Sequence, residues 1–297
     1  MGVVPEFEPG RPESGYYVDL RPKAVSAAAP AEAAEHLRAT DRSRANPVSI
    51  AQLGLGAWQL LADDPSWTEV VLAAAGWLAG SLDPDGGLSY HFAMPHTYVV
   101  RPPWRSAMAQ GEAASLLVRA AAVAGDDRFA RAASSVCLPL LEPASPLVAA
   151  TAEGPVLQEY PTDPPAHVLN GWISALWGLY DVAEAYDDDR AADAFAAGAE
   201  TLAALLPRYC ALGSWSRYDL FPHPVVNVAS PFYHRLHIDQ LRAMSRLAPE
   251  PAFERFATLW ATGAASLPVR SAALARKVAF RLVRPRSRRL GAQRRLR

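Results

Sequence analysis

Lysine is almost absent from this chain: Lys23 and Lys277 are the only two, and arginine carries the rest of the basic charge. Cysteine is as scarce. Cys137 and Cys210 fall in or beside apolar helical stretches, so a multiply stapled fold is excluded and buried free thiols are the expectation, with one disulfide as the alternative. No apolar run reaches the roughly 18–20 residues of a membrane span, because charged or polar residues interrupt every candidate. The opening MGVVPEFEPGRPESGYY lacks the basic and apolar blocks of a secretory leader. A cytoplasmic location, at most membrane-peripheral, is therefore expected. No Gly-rich phosphate loop occurs, so neither a nucleotide nor a redox cofactor is expected.

What remains is a chain of 297 residues, 51% hydrophobic and 20% charged, with a formal net charge of −1. That is enough for one large globular core. The near-zero charge hides an asymmetry. Residues 268–297 hold eleven Lys or Arg and no acid, which leaves about twelve net negative charges on the body. Nucleic acid is not an expected partner of so acidic a body.

Acid- or Pro-marked turns recur at near-constant spacing: Asp63-Asp64-Pro65, Asp126-Asp127-Arg128, Asp188-Asp189-Arg190 and Pro249-Glu250-Pro251. Each separates two segments with apolar residues at helical spacing. The first members are 50–62, 106–124, 171–186 and 233–248; the second are 67–82, 129–141, 191–209 and 253–267. The unit is a helical hairpin, repeated four times. Asn170 is expected to cap the third inner helix. The hairpins are joined by long connections at 83–105, 142–169 and 210–231, rich in Pro, Gly, Tyr, Trp and His. Loops of that length usually carry function. All three run from an outer to an inner helix, so they gather at one end. The expected fold is all-α: an open (α/α) toroid of four hairpins with short extended insertions at one end. A short-helix arm (1–45) precedes this domain (46–267), and a basic amphipathic tail (268–297) comes after it.

The chemistry-bearing residues concentrate in those connections. Glu159-Tyr160-Pro161 ends the second; alone it reads as a surface turn. Arg217-Tyr218-Asp219-Leu220 ends the aromatic part of the third and reads as a short strand. Tyr233, His234 and His237 open the fourth inner helix. A His pair at i, i+3 without an intervening Glu or a nearby Cys cluster is a poor zinc motif, so no metal is expected. Gathered at one end, these residues make a pocket of Tyr, His and carboxylate, with Trp104 and Trp215 as sugar-stacking platforms.

The motifs Asn46-Pro-Val-Ser-Ile-Ala-Gln52, Ser106-Ala-Met-Ala-Gln-Gly111, Glu159-Tyr-Pro161 with Val168-Leu-Asn-Gly171, Tyr218-Asp-Leu220 and Tyr233-His234 with His237 resemble the D-glucuronyl C5-epimerases. The resemblance covers roughly residues 46–260. It implies an α/α toroid acting on heparosan-type polymers, inverting C5 of D-glucuronate to give L-iduronate. The animal enzymes carry a large β-domain ahead of the toroid where this sequence has a short arm, including Gly15-Tyr-Tyr-Val-Asp-Leu20, so a compact form is expected. By resemblance Glu159, Tyr160, Tyr218 and Tyr233 are the catalytic positions. Gln110, Asn170, Asn227, His234 and His237 join the two tryptophans as substrate-binding candidates. Where the family commonly has Arg-His after Tyr-Asp-Leu, this chain has Phe221-Pro222-His223. Arg105, Arg217 and Arg235 are the candidates to replace that Arg against the uronate carboxylate.

Inverting C5 requires one proton-transfer group on each face of the ring and neutralisation of the carboxylate as the enolate forms. Glu159 and Tyr233 are the pair the resemblance suggests. A uronate lyase, which begins with the same abstraction, and a non-catalytic glycan-binding protein are the alternative classes. The expected partner is an anionic uronate-containing polysaccharide. A second copy of the chain and an anionic membrane reached through residues 268–297 are the other partners considered.

Overall fold

The structure is a computed structural model that describes residues 5–94 and 97–285. The arm carries two helices, α1 (Arg21–Val25) and α2 (Pro30–Ala39), where one was expected. The hairpins come next as α3 (Pro47–Leu60) with α4 (Thr68–Ala79), then α5 (Ala107–Ala124) with α6 (Asp127–Leu141). After them come α7 (Leu169–Tyr186) with α8 (Asp189–Leu205), and α9 (Pro231–Leu247) with α10 (Pro251–Ala265). A last helix, α11, spans Leu267–Val283.

The acids that mark the turns also cap the outer helices. Asp126 accepts from the Arg128 amide and Asp188 from the Ala191 amide, at the starts of α6 and α8. Asp64 accepts from the Ser66 amide in the turn leading to α4. Each such cap stabilises its helix by about 1 kcal/mol. The fourth turn uses Pro251 at the first helical position instead.

Inner helices α3, α5, α7 and α9 pack in sequence around a common axis. Gly178 of α7 faces Gly111 of α5 so closely that a Cβ on Gly178 would meet the Gly111 backbone at 2.4 Å. Helices α3 and α9 make no comparable contact, so the ring is open there.

The connections contain three two-stranded antiparallel hairpins: β1 (Ser89–Tyr90) with β2 (Trp104–Arg105), β3 (Val148–Ala150) with β4 (Pro155–Leu157), and β5 (Cys210–Ala211) with β6 (Trp215–Ser216). They interlock at one end, as the repeat implied. The Ala107 amide donates to Gln158 O, Leu169 N to Tyr218 O, and Leu220 N to Ala166 O.

The barrel interior toward the other end of α5 and α7 is closed by the arm. Arg119 and Asp181 form a fully buried ion pair at 2.7 Å. Arg119 also donates to Gly15 O, and the Tyr17 hydroxyl donates to Asp181 at 2.6 Å. The guanidinium lies over the rings of Tyr16, Tyr17 and Trp58. Arg119→Met would strand the Asp181 charge in the core. The expected loss is about 3–5 kcal/mol, read from the urea midpoint, with faster amide exchange in residues 5–20 as the arm loses its anchor.

The basic tail proves to be a docked element as far as it is described. Phe280 and Ala273 of α11 are buried, Phe280 packs edge-on against His223 at 4.9 Å, and Arg281 donates to Thr97 Oγ1. Residues 286–297 lie outside the described residues.

Candidate active site

Each connection delivers its functional residues at the amino end of an inner helix. Ser106 and Ser230 cap α5 and α9 with their own hydroxyls. Asn170 does not cap α7, contrary to expectation: the helix begins at Leu169, and its cap residue is Val168. The Leu169 amide is taken by the Tyr218 carbonyl, so the third connection does the work a side chain would have done. Asn170 instead lies in the first turn, its carbonyl accepting from Gln240 and its amide 3.9 Å from Met108 Sδ.

An aromatic bowl forms where the connections meet. Tyr90 stacks on Trp104 at 4.0 Å, Trp104 and Tyr98 both lean on Tyr160, and Tyr218 meets Tyr233 edge-on at 4.9 Å. Tyr160 and Tyr218 are buried; Tyr233 is half-buried. Glu159 lies at the bottom, 7% exposed. A Cβ at Gly171 would meet Glu159 Oε2 at 2.3 Å, so only glycine there lets the carboxylate sit against α7. Burial raises the Glu159 carboxyl to about 7, against the effect of a hydrogen bond from Tyr160. Burial also raises the Tyr160 and Tyr218 hydroxyls well above the ordinary tyrosine range, which keeps them as donors at neutral pH. The structure thus brings together all four residues carried over as catalytic.

A polar chain runs from the bowl to α11. Asp219 accepts from the Tyr98 hydroxyl and the Asn227 amide. Asn227 Oδ1 accepts in turn from Lys277 Nζ at 2.7 Å. The ammonium also donates to Val228 O and lies 5.5 Å from the Tyr218 ring centroid. No expectation placed Lys277 here. Its signal was present in the sequence as one of two lysines, but alternation of basic and apolar residues reads alike for a docked and a free helix.

Several substrate-binding candidates are occupied by the fold instead. Gln110 is fully buried, donating to Gly86 O and Val136 O and accepting from the Leu88 amide. Trp215 is 1% exposed, stacked on His234 at 3.7 Å and donating to Ala229 O, so no face remains for a sugar. His234 donates through Nε2 to Trp260 O and accepts at Nδ1 from the Ser216 amide. Burial lowers its pKa to about 4, so it is a neutral strut. His237 Nδ1 lies 2.9 Å from Ser216 Oγ, and burial keeps that ring neutral too. Trp104 is also buried, its indole N–H spent on Phe92 O. The three arginines that were candidates to replace the family's Arg sit in different settings. Arg105 is held by Asp83 and Asp85, both at 2.7 Å, Arg217 extends toward Arg208 O, and Arg235 is exposed on α9. Among the described residues no group of three His, Cys, Asp or Glu could hold a metal ion.

A second buried glutamate near the site, Glu112 on α5, was also missed. Gln52 donates to it at 3.1 Å, one oxygen has no partner, and burial with nearby Glu159 raises it to about 8. The folded-state pKa exceeds the unfolded value. The stability this group confers is therefore full below about pH 4.5 and is lost as pH rises through about 8. Glu112→Gln keeps the Gln52 contact and removes the titration. It should leave the melting temperature unchanged near pH 4.5 and raise stability by about 2–4 kcal/mol near pH 9.

A surface concavity of about 480 Å³ lies at the far end, beside Gly10 and Tyr186. Its lining includes Glu13, Asp126, Asp127 and Glu184, so it would repel an anionic ligand.

A family model described as D-glucuronyl C5-epimerase C-terminus matches residues 83–262, which contain all three connections. The chain belongs to this family. It is 31% identical over 209 residues to a D-glucuronyl C5-epimerase of Caenorhabditis elegans, a match that covers 63% of this chain and 34% of that protein. The chain thus spans about a third of the curated relative. Among solved structures, the unsaturated glucuronyl hydrolase of Bacillus sp. GL1 superposes with a TM-score of 0.53 at 16% identity, covering 78% of this chain and 65% of that one. That likeness shows the α/α-toroid fold. Lys277 and α11 lie beyond the residues that the family model matches.

Proposed function

We propose that the chain is a C5-epimerase acting on D-glucuronate within an anionic polysaccharide. The observation that carries this is the buried Glu159, held at a near-neutral pKa among Tyr160, Tyr218 and Tyr233. A carboxyl with a pKa of about 7 is balanced to accept and return a proton at neutral pH. Ionised Glu159 takes the C5 proton. The C–H electron pair moves into the C5–C6 bond, and the carboxylate becomes an enediolate with one more negative charge. Tyr233 then delivers its hydroxyl proton to the opposite face, and solvent resets both groups.

The extra charge on the enediolate must be met where it develops. The Tyr160 and Tyr218 hydroxyls are held protonated by burial, and Lys277 brings the positive charge. The amino ends of the inner helices add a favourable field for an anion. In this reading Lys277 performs from α11 the task for which Arg105, Arg217 and Arg235 were the sequence candidates.

The test is proton NMR of heparosan or another glucuronate polymer incubated with the protein in D2O. Loss of the C5 proton signal with appearance of the iduronate epimer is the expected result. An unsaturated uronate, seen by its ultraviolet absorbance, would instead indicate elimination. Binding without exchange would leave a glycan-binding module.

A further inference from the structure

The helix that brings Lys277 to the site has a second face with no partner among the described residues. Among the described residues eleven large hydrophobic side chains are exposed, and five of them are on α11: Leu267, Leu274, Val278, Leu282 and Val283, at 52–79%. At 100° per residue these fall with Pro268, Ala272, Ala275 and Ala279 on one half of the circumference. Ser271 is the only polar residue among them. Arg270 and Arg276, both exposed, flank this face on its two edges. The opposite half is engaged with the protein through Val269, Ala273, Lys277 and Phe280.

We propose that the outward face of α11 docks on the surface of an anionic lipid bilayer. Charge and apolarity together select that occupant. Arginines beside an aliphatic face match lipid headgroups beside acyl chains. The sequence beyond the helix adds six arginines between 286 and 297 and no acid, which strengthens attraction to an anionic surface. A second copy of the chain would bring two arginine-flanked faces together, with like charges opposed. An anionic glycan would pair with the arginines but leave the aliphatic residues in water. No helix among the described residues is long and apolar enough to cross a membrane, and α11 would lie along the surface. Val99 and Phe232, also exposed, belong to the same end of the toroid as the candidate site.

The inference is independent of the proposed reaction, and its test needs no substrate. The full chain is sedimented with vesicles of phosphatidylcholine alone or with phosphatidylserine added. Binding at least tenfold tighter to the anionic vesicles is expected, weakening several-fold as salt rises from low to physiological strength. The double variant Leu274→Glu with Leu282→Glu, at two exposed positions, should lose vesicle binding while circular dichroism and melting stay unchanged. Three results would overturn the proposal: no binding to anionic vesicles at low salt, equal binding to neutral ones, or undiminished binding by the variant. A chain that is dimeric in solution and becomes monomeric with the two substitutions would assign the face to a second copy instead.

Discussion

Tyr233→Phe and Glu159→Gln are each expected to slow exchange of the glucuronate C5 proton by about 10²–10⁴-fold, the usual effect of deleting a proton-transfer group. Both substitutions conserve volume. Tyr233 keeps its edge contact with Tyr218 as Phe, and Gln at 159 still fits the space left by Gly171. Melting temperatures should therefore change little, which separates lost chemistry from lost fold. The pH profile distinguishes the two roles. Glu159 must be ionised to accept the proton, and burial sets its pKa at about 7. Wild-type rate should accordingly rise with pH up to about that value and then level off. Tyr233→Phe should retain this acid limb at a lower rate, because Glu159 is intact. Glu159→Gln should abolish the limb along with most of the rate. Tyr160→Phe and Tyr218→Phe should cost less, since each removes one of several donors. Wild-type exchange that neither Tyr233→Phe nor Glu159→Gln slows would refute the assignment.

Local signals in the sequence reach as far as the elements that depend on them. The four hairpins were legible because an acid or Pro turn recurs about every 62–63 residues and because those acids are true caps on outer helices. That the connections gather at one end was legible for a topological reason: every long connection runs from an outer to an inner helix, so the amino ends of α5, α7 and α9 must share one end. Roles that depend on tertiary contact were not legible. Trp215, His234 and Gln110 look in sequence like ligand-binding groups. The fold spends them on Ala229, Trp260 and three groups around α5. The start of α7 was misplaced because its first amide is satisfied by a carbonyl 49 positions away, at Tyr218. Lys277 was hidden by its setting, since a helix with basic and apolar residues on both sides shows no preferred face until Phe280 is seen buried.

Lys277→Met is expected to reduce kcat by about 10²–10³-fold, the range seen when one preorganised group is removed from a developing anion. The substrate carboxylate enters with one negative charge, and the enediolate carries two. A fixed cation therefore stabilises the transition state more than the bound substrate, so kcat should fall further than KM rises. Methionine preserves the aliphatic stem along α11, while Phe280 and the Arg281–Thr97 bond still hold the helix in place. The carbonyls of Asn227 and Val228 lose their ammonium donor, which costs about 1–3 kcal/mol of stability and is read separately from the melting curve. Lys277→Arg keeps the charge and should recover part of the rate. Arg217→Met and Arg235→Met serve as controls: Arg217 extends toward Arg208 O and Arg235 is exposed on α9, and neither should lower kcat more than about threefold (under 1 kcal/mol in barrier). If Lys277→Met exchanges C5 protons within threefold of wild type while either control fails, the carboxylate is gripped by an arginine and α11 has no part in the chemistry. If Lys277→Met alone fails, the cation reaches the site from a helix that lies beyond the residues matched by the family model.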